Sequence, residues 1–167
     1  MAIQANKALK IKVADEVWIA TALMQRRAGR ERDFGIEEIV DSVQREGISR
    51  HLRPGVYVHV VQHCVANRPA NPARYRMLFE TAEGRRRLFR YPDVFHFSRE
   101  GGRVLPVTED IPEEFRCLIK WYEAEYALSP EEAAKEHPLL ALRGMGKGLW
   151  KDEDPDSYVR RLREGWE

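Results

Sequence analysis

Arg50-His51-Leu52-Arg53-Pro54-Gly55-Val56-Tyr57-Val58-His59-Val60-Val61-Gln62-His63-Cys64-Val65 opens the stretch on which the reading of the fold turns. Asn67-Arg68-Pro69-Ala70-Asn71-Pro72 comes next, then Tyr75-Arg76-Met77-Leu78-Phe79, Thr81-Ala82-Glu83-Gly84-Arg85-Arg86-Arg87 and Leu88-Phe89-Arg90-Tyr91. Pro54 suits the first turn of a helix, where its missing N–H would be unpaired anyway. At 100° per residue, Val56, Tyr57, Val60, Val61 and Cys64 share one side, and Gly55, His59, Gln62, His63 and Ala66 share the other. Two prolines make 67–72 a loop. Tyr75, Met77 and Phe79 then alternate with Arg74, Arg76 and Leu78, and Leu88 and Phe89 face them across a turn at Gly84. The stretch reads as a helix over 54–66 and a hairpin whose tip carries Arg85, Arg86 and Arg87.

Charge resolved along the chain points the same way. Residues 1–49 balance, residues 50–99 carry +7, residues 100–128 carry −4 and residues 129–167 carry −2, within a total of +1. One basic block inside a near-neutral chain is the footprint a polyanion needs. A helix with a face of small residues, His and Gln, succeeded by a basic hairpin, is the layout of a recognition helix and wing. Gln62, His59 and His63 can pair with base edges in a major groove, and Arg53, Arg85, Arg86 and Arg87 with phosphates or a narrow minor groove. The same side chains also suit a plain solvated face.

On the N-terminal side, Val17, Trp18, Ile19, Ala20, Ala22, Leu23 and Met24 are apolar around most of a helix over 14–28, with Gly29 as its stop. Asp33 is a candidate cap for a second helix, in which Ile36, Ile39, Val40 and Val43 make one buried face and Gly47 ends it. Pro112 to Tyr126 form a fourth helix, with Phe115, Leu118, Ile119, Tyr122 and Tyr126 as its stripe. Trp121 lies off that stripe, covering a core edge or marking a dimer contact. Cys64 and Cys117 fall in apolar helical patterns and read as buried thiols in a reducing cytosol. There is no apolar run of membrane-span length, and the first residues lack the apolar core of a signal peptide, so a cytoplasmic protein is expected.

Enzyme chemistry finds little support. His59 and His63 have the i, i+4 spacing of metal ligands, but no third ligand is identifiable. Cys64 points to the apolar side of its helix, away from His63. Gly144-Met145-Gly146-Lys147-Gly148 lacks the preceding strand and subsequent Lys-Ser/Thr of a phosphate cradle and reads as a hinge. No catalytic residue, metal or cofactor is assigned.

Ser129-Pro130-Glu131-Glu132 opens a short helix, broken at His137-Pro138. Leu139-Leu140-Ala141-Leu142-Arg143-Gly144-Met145-Gly146-Lys147-Gly148-Leu149-Trp150 comes after it, and Asp154-Pro155 starts a last helix with Tyr158, Leu162 and Trp166 spaced by four. So many aromatic side chains in a segment with so little core imply a docking surface. The Leu-rich turn, the Gly-Leu-Trp hinge and Asp154-Pro155-Asp156-Ser157-Tyr158-Val159-Arg160-Arg161-Leu162-Arg163 resemble the C-terminal region of type II antitoxins that pair with PIN-domain ribonuclease toxins of the VapBC kind. The resemblance implies that Leu140, Leu142, Leu149, Trp150, Tyr158 and Leu162 anchor on the toxin. It implies that Arg143, Arg160 or Arg161 reaches the toxin's acidic, metal-binding site. Such antitoxins usually carry a small ribbon-helix-helix or swapped-hairpin body; this body is larger.

The sequence therefore predicts a mainly α (α+β) protein. A winged helix-turn-helix domain spans 1–128 and a partner-binding extension spans 129–167. Its expected function is an antitoxin that neutralises a PIN-domain ribonuclease and binds double-stranded operator DNA as a homodimer. The alternative is a winged-helix adaptor that contacts nucleic acid or protein within a restriction or other defence system.

Overall fold

The computed structural model describes residues 11–128. The chain divides into two units, Met1–Ala127 and Leu128–Glu167.

Within the first unit, the described residues form an α+β fold. It runs α1 (Val13–Ala28), β1 (Phe34–Gly35), α2 (Ile36–Glu46), α3 (Gly55–Val58, continued by a wider π-helical turn His59–His63), β2 (Leu78–Ala82) and β3 (Arg85–Leu88). Three short 3-10 turns come next, and the last of them leads into α4 (Arg116–Trp121, continued by a π-helical turn Tyr122–Tyr126). The strands make one antiparallel sheet in the order β1-β3-β2. No helix of the described residues is long and apolar enough to cross a membrane.

α1 is the central element. Every residue from Ala14 to Leu23 is buried, as a helix packed on several sides requires. Trp18 is fully buried and meets Tyr122 of α4 edge to face at 5.8 Å. Two acids are caught in this burial, and each has an Arg: Asp15 takes Arg103 at 2.7 Å, and Glu16 takes Arg53. Burial pushes the Asp15 carboxyl up, against the pull of Arg103.

Gly29 and Gly47 end α1 and α2 with φ of 98° and 61°, where a side chain would be strained. The cap of α2 differs from expectation. Gly35 occupies the N-cap, and the Glu38 carboxylate accepts its N–H at 2.7 Å. Asp33 is occupied elsewhere, with Arg85 and Thr81. That displacement lets Phe34 and Gly35 pair with β3 as a third strand, which no pattern in the sequence announces.

α3 also departs from its reading. Val56, Val60 and Cys64 form its buried stripe, whereas Tyr57 is 52% exposed. The helix ends at His63, not 66, because Val65 bridges to Leu78 and the Ala66 N–H donates to the Leu78 carbonyl at 2.7 Å. The hairpin is shifted accordingly. Residues 75–77 approach the sheet without joining β2, which starts at Leu78 and carries an irregularity between Glu80 and Ala82. Cys64 is buried as expected, but Cys117 is exposed, on the solvent side of α4. Trp121 is half-buried against the core and lies 5.5 Å from the Tyr126 ring.

Candidate nucleic-acid interface

Arg53 sets the start of α3. Its Nε donates to Glu16 Oε2 at 2.8 Å and its Nη2 to the Ile11 carbonyl at 2.9 Å. A guanidinium held by α1 in this way fixes where α3 begins and is spoken for as a ligand for phosphate. The polar residues of the helix are similarly engaged. His59 Nδ1 donates to the Gly55 carbonyl at 2.7 Å, and burial lowers its pKa, favouring the neutral ring. His63 meets His59 edge to face at 4.9 Å, and its Nδ1 is buried without a hydrogen-bond partner. Gln62 Nε2 donates to the Pro69 carbonyl at 2.6 Å, tying the helix to the loop behind it. His59, His63 and Gln62 are all half-buried, and none is posed as an open base reader.

The hairpin arginines require a correction. Their expected place is an open tip. The turn is instead Glu83-Gly84, with Gly84 at a φ of 70°, and the arginines lie along β3 with carboxylates on each. Arg85 grips Asp33, with Nε at 3.0 Å and Nη2 at 2.6 Å from Oδ1, and stands 3.5 Å from Glu38. Arg86 is fully buried, with Nη1 2.8 Å from Glu80 Oε1. Arg87 makes a two-pronged contact with Asp93, both bonds 2.6 Å, and lies 4.8 Å over the Phe79 ring. The carboxyls respond. The Thr81 hydroxyl and Arg85 hold Asp33 below its ordinary range, and Arg68 does the same for Glu80. The basic block of the sequence is thus largely neutralised in space, by acids brought from outside it (Glu16, Glu31, Asp33 and Glu38) as well as by its own Glu80 and Asp93.

Open cations lie elsewhere. No Asp or Glu occurs between Glu46 and Glu80. Arg45, on the last turn of α2, and Arg50, in the turn leading to α3, are exposed and carry no ion pair among the described residues. Arg74, in the loop before β2, is likewise exposed and unpaired among them. His51 is exposed beside Arg50. Leu52, Tyr57 and Val58 are 41%, 52% and 40% exposed on the same turn and helix. Sequence reasoning passes over Arg45, Arg50, Leu52, Tyr57 and Val58. The acid-free run is the available signal, since acids within it would be the cheapest partners for its own cations.

Among the described residues no three His, Cys, Asp or Glu side chains converge as a metal site. Burial pushes the Cys64 thiol up, which removes its nucleophilic form. The residues expected to bind a toxin, Leu140, Leu142, Arg143, Leu149, Trp150, Tyr158, Arg160, Arg161 and Leu162, lie outside the described residues. No family model, no curated protein and no solved structure matches this chain.

Proposed function

We propose that this chain is a two-part binding protein of the antitoxin kind. Its body is a winged helix that binds operator duplex, and its segment 129–167 binds and inhibits a PIN-domain ribonuclease. The observation that carries the body's role is the element order: helix, short strand, two helices, hairpin, with the early strand against the second strand of the hairpin. That order supports a winged helix, in which α3 is the element offered to a groove. The duplex-facing surface is the α2–α3 turn and α3, with Arg45 and Arg50 as phosphate ligands. The hairpin arginines hold the wing in place. Two-fold operators imply two copies of the body. The ribonuclease-binding role rests on the resemblance of the tail.

The test is duplex binding by the full chain as a function of salt. Arg45→Ala with Arg50→Ala is expected to weaken binding and to flatten the log–log salt slope by roughly 0.9 per lost phosphate contact. An unchanged slope would refute the surface assigned here. For the tail, co-expression with a cognate PIN-domain ribonuclease should give a stable complex that a chain ending at Leu128 does not form.

A second reading, an adaptor that docks on protein, is favoured by one observation. Leu52, Tyr57 and Val58, on the same turn and helix, are exposed large apolar side chains.

A further inference from the structure

A recognition helix normally reads bases with polar side chains. Here those candidates are taken. Gln62 gives its amide N–H to the Pro69 carbonyl, His59 gives its Nδ1–H to the Gly55 carbonyl, and His63 packs on His59. Arg53 is held on α1. Beyond Arg50 and His51 at the turn itself, the exposed large side chains of this turn and helix are Leu52, Tyr57 and Val58. They are methyl groups and a ring, with the Tyr57 hydroxyl as the one polar atom among them.

An apolar helix face in a major groove has one complementary feature on the bases. The C5-methyl of thymine is the apolar group exposed there, and aliphatic side chains contact it. Hydrogen-bond donors and acceptors on guanine, cytosine and adenine edges would instead be desolvated against Val58 and Leu52 without replacement. Charge on the flank is compatible with a duplex, because the run from 47 to 79 holds no acid and Arg45 and Arg50 are exposed.

We propose that this protein recognises its DNA site through thymine methyl groups, read by Val58 with Leu52 and Tyr57. The proposal rests on the duplex reading of the body, and names the base chemistry that surface selects.

The full chain is used to enrich duplexes from a random-sequence library, and binding to the enriched duplex is measured at fixed salt. Each thymidine is then replaced singly by deoxyuridine, which removes the methyl and leaves the pairing edge intact. Replacement at one or more positions is expected to weaken binding about fourfold, the value of one buried methyl-sized group. Val58→Ala, at a position 40% exposed, is expected to erase that sensitivity while keeping the salt slope, with an unchanged far-UV circular dichroism spectrum as the check on folding. If deoxyuridine duplexes bind like thymidine duplexes throughout, or Val58→Ala keeps the full sensitivity, the proposal is overturned and duplex binding itself stands. The proposal also falls if duplexes are retained without enrichment of any sequence. If no duplex is retained at all, the duplex reading falls with it, and the same apolar group belongs to a protein contact.

Discussion

Replacing Arg99 should unfold this protein more readily than any substitution of the hairpin arginines. Arg99 is fully buried, yet none of its hydrogen bonds goes to a carboxylate. Its Nε donates to the Arg68 carbonyl at 2.6 Å, Nη1 to His63 at 2.8 Å and Tyr75 at 2.7 Å, and Nη2 to Gln62 at 2.7 Å. Longer contacts reach the Ala73 and Pro69 carbonyls, at 3.3 and 3.2 Å. One guanidinium therefore gathers the last carbonyls of α3 and the loop from 68 to 75; of these, Gln62 also accepts from the Val65 N–H at 3.3 Å and Pro69 from Gln62 Nε2 at 2.6 Å. Arg99→Met keeps much of the stem and removes every donor. Each buried carbonyl left unpaired costs about 1–3 kcal/mol. If backbone movement or entering water rescues all but two of the four short bonds, the loss is still about 2–6 kcal/mol. That is a large part of the ~5–15 kcal/mol that holds a typical domain. Arg99→Lys, with three donors on one nitrogen, should fall between the two. The assay is urea unfolding monitored by far-UV circular dichroism, with the change in midpoint multiplied by a common slope. A Met variant within about 1 kcal/mol of wild type would show that the loop is held by other means.

Four further outcomes are expected. A Cβ built on Gly102 would lie 1.7 Å from the Arg74 carbonyl oxygen and 2.9 Å from that of Arg99. Gly102→Ala should thus destabilise by roughly 3 kcal/mol or more, measured in the same unfolding assay. Asp33 and Glu80 have folded pKa values depressed below the ordinary carboxylate range. Their contribution is present above pH ~4 and lost as pH falls through that value and below; Asp33→Asn should make the urea midpoint less dependent on pH between about 5 and 3. Cys117 is exposed and Cys64 buried. A thiol reagent should therefore label one cysteine per native chain and both after denaturation. Arg85→Ala and Asp33→Ala should be non-additive, with a coupling of about 0.5–1 kcal/mol, modest because the Arg85 side chain is 40% exposed.

The helices are legible because each carries a long, local signal. The apolar circumference of α1, the stripe of Ile39 and Val43 in α2, and that of Leu118, Tyr122 and Tyr126 in α4 are buried as the spacing requires. Gly29 and Gly47 mark helix ends for a backbone reason that sequence states directly. What sequence does not carry is who meets whom across distance. The two-residue strand Phe34–Gly35 has too short a pattern to see, and the Asp33 beside it is bonded to Arg85, a pairing the sequence does not announce. Tyr57 sits beside Val56 on a helical wheel, but the core reaches only the stripe Val56, Val60 and Cys64. Cys117 differs from its reading in the same manner, lying one step off the face that Leu118 buries. In each case periodicity locates a boundary to within a residue, and packing decides on which side of it the residue falls.

The basic block shows why a charge count along a chain is a weak guide to a binding surface. β2 and β3 have only five and four residues and β1 has two, so the sheet has few ladder bonds to hold its register. Around it stand Arg85 on Asp33, Arg86 and Arg68 on Glu80, Arg87 on Asp93, and Arg90 on Glu31. These pairs link β1's approach, both hairpin strands and the loop after them, segments that a short ladder alone would leave loosely joined. Burying the Arg86 guanidinium without a partner would be costly, and Glu80 pairs with it at 2.8 Å. The arginines are therefore explained by the hairpin's own need for closure, without any polyanion. A duplex would be met through cations the fold leaves unpaired among the described residues, which include Arg45 and Arg50 at the end of α2 and the turn after it, and Arg74 in the loop before β2.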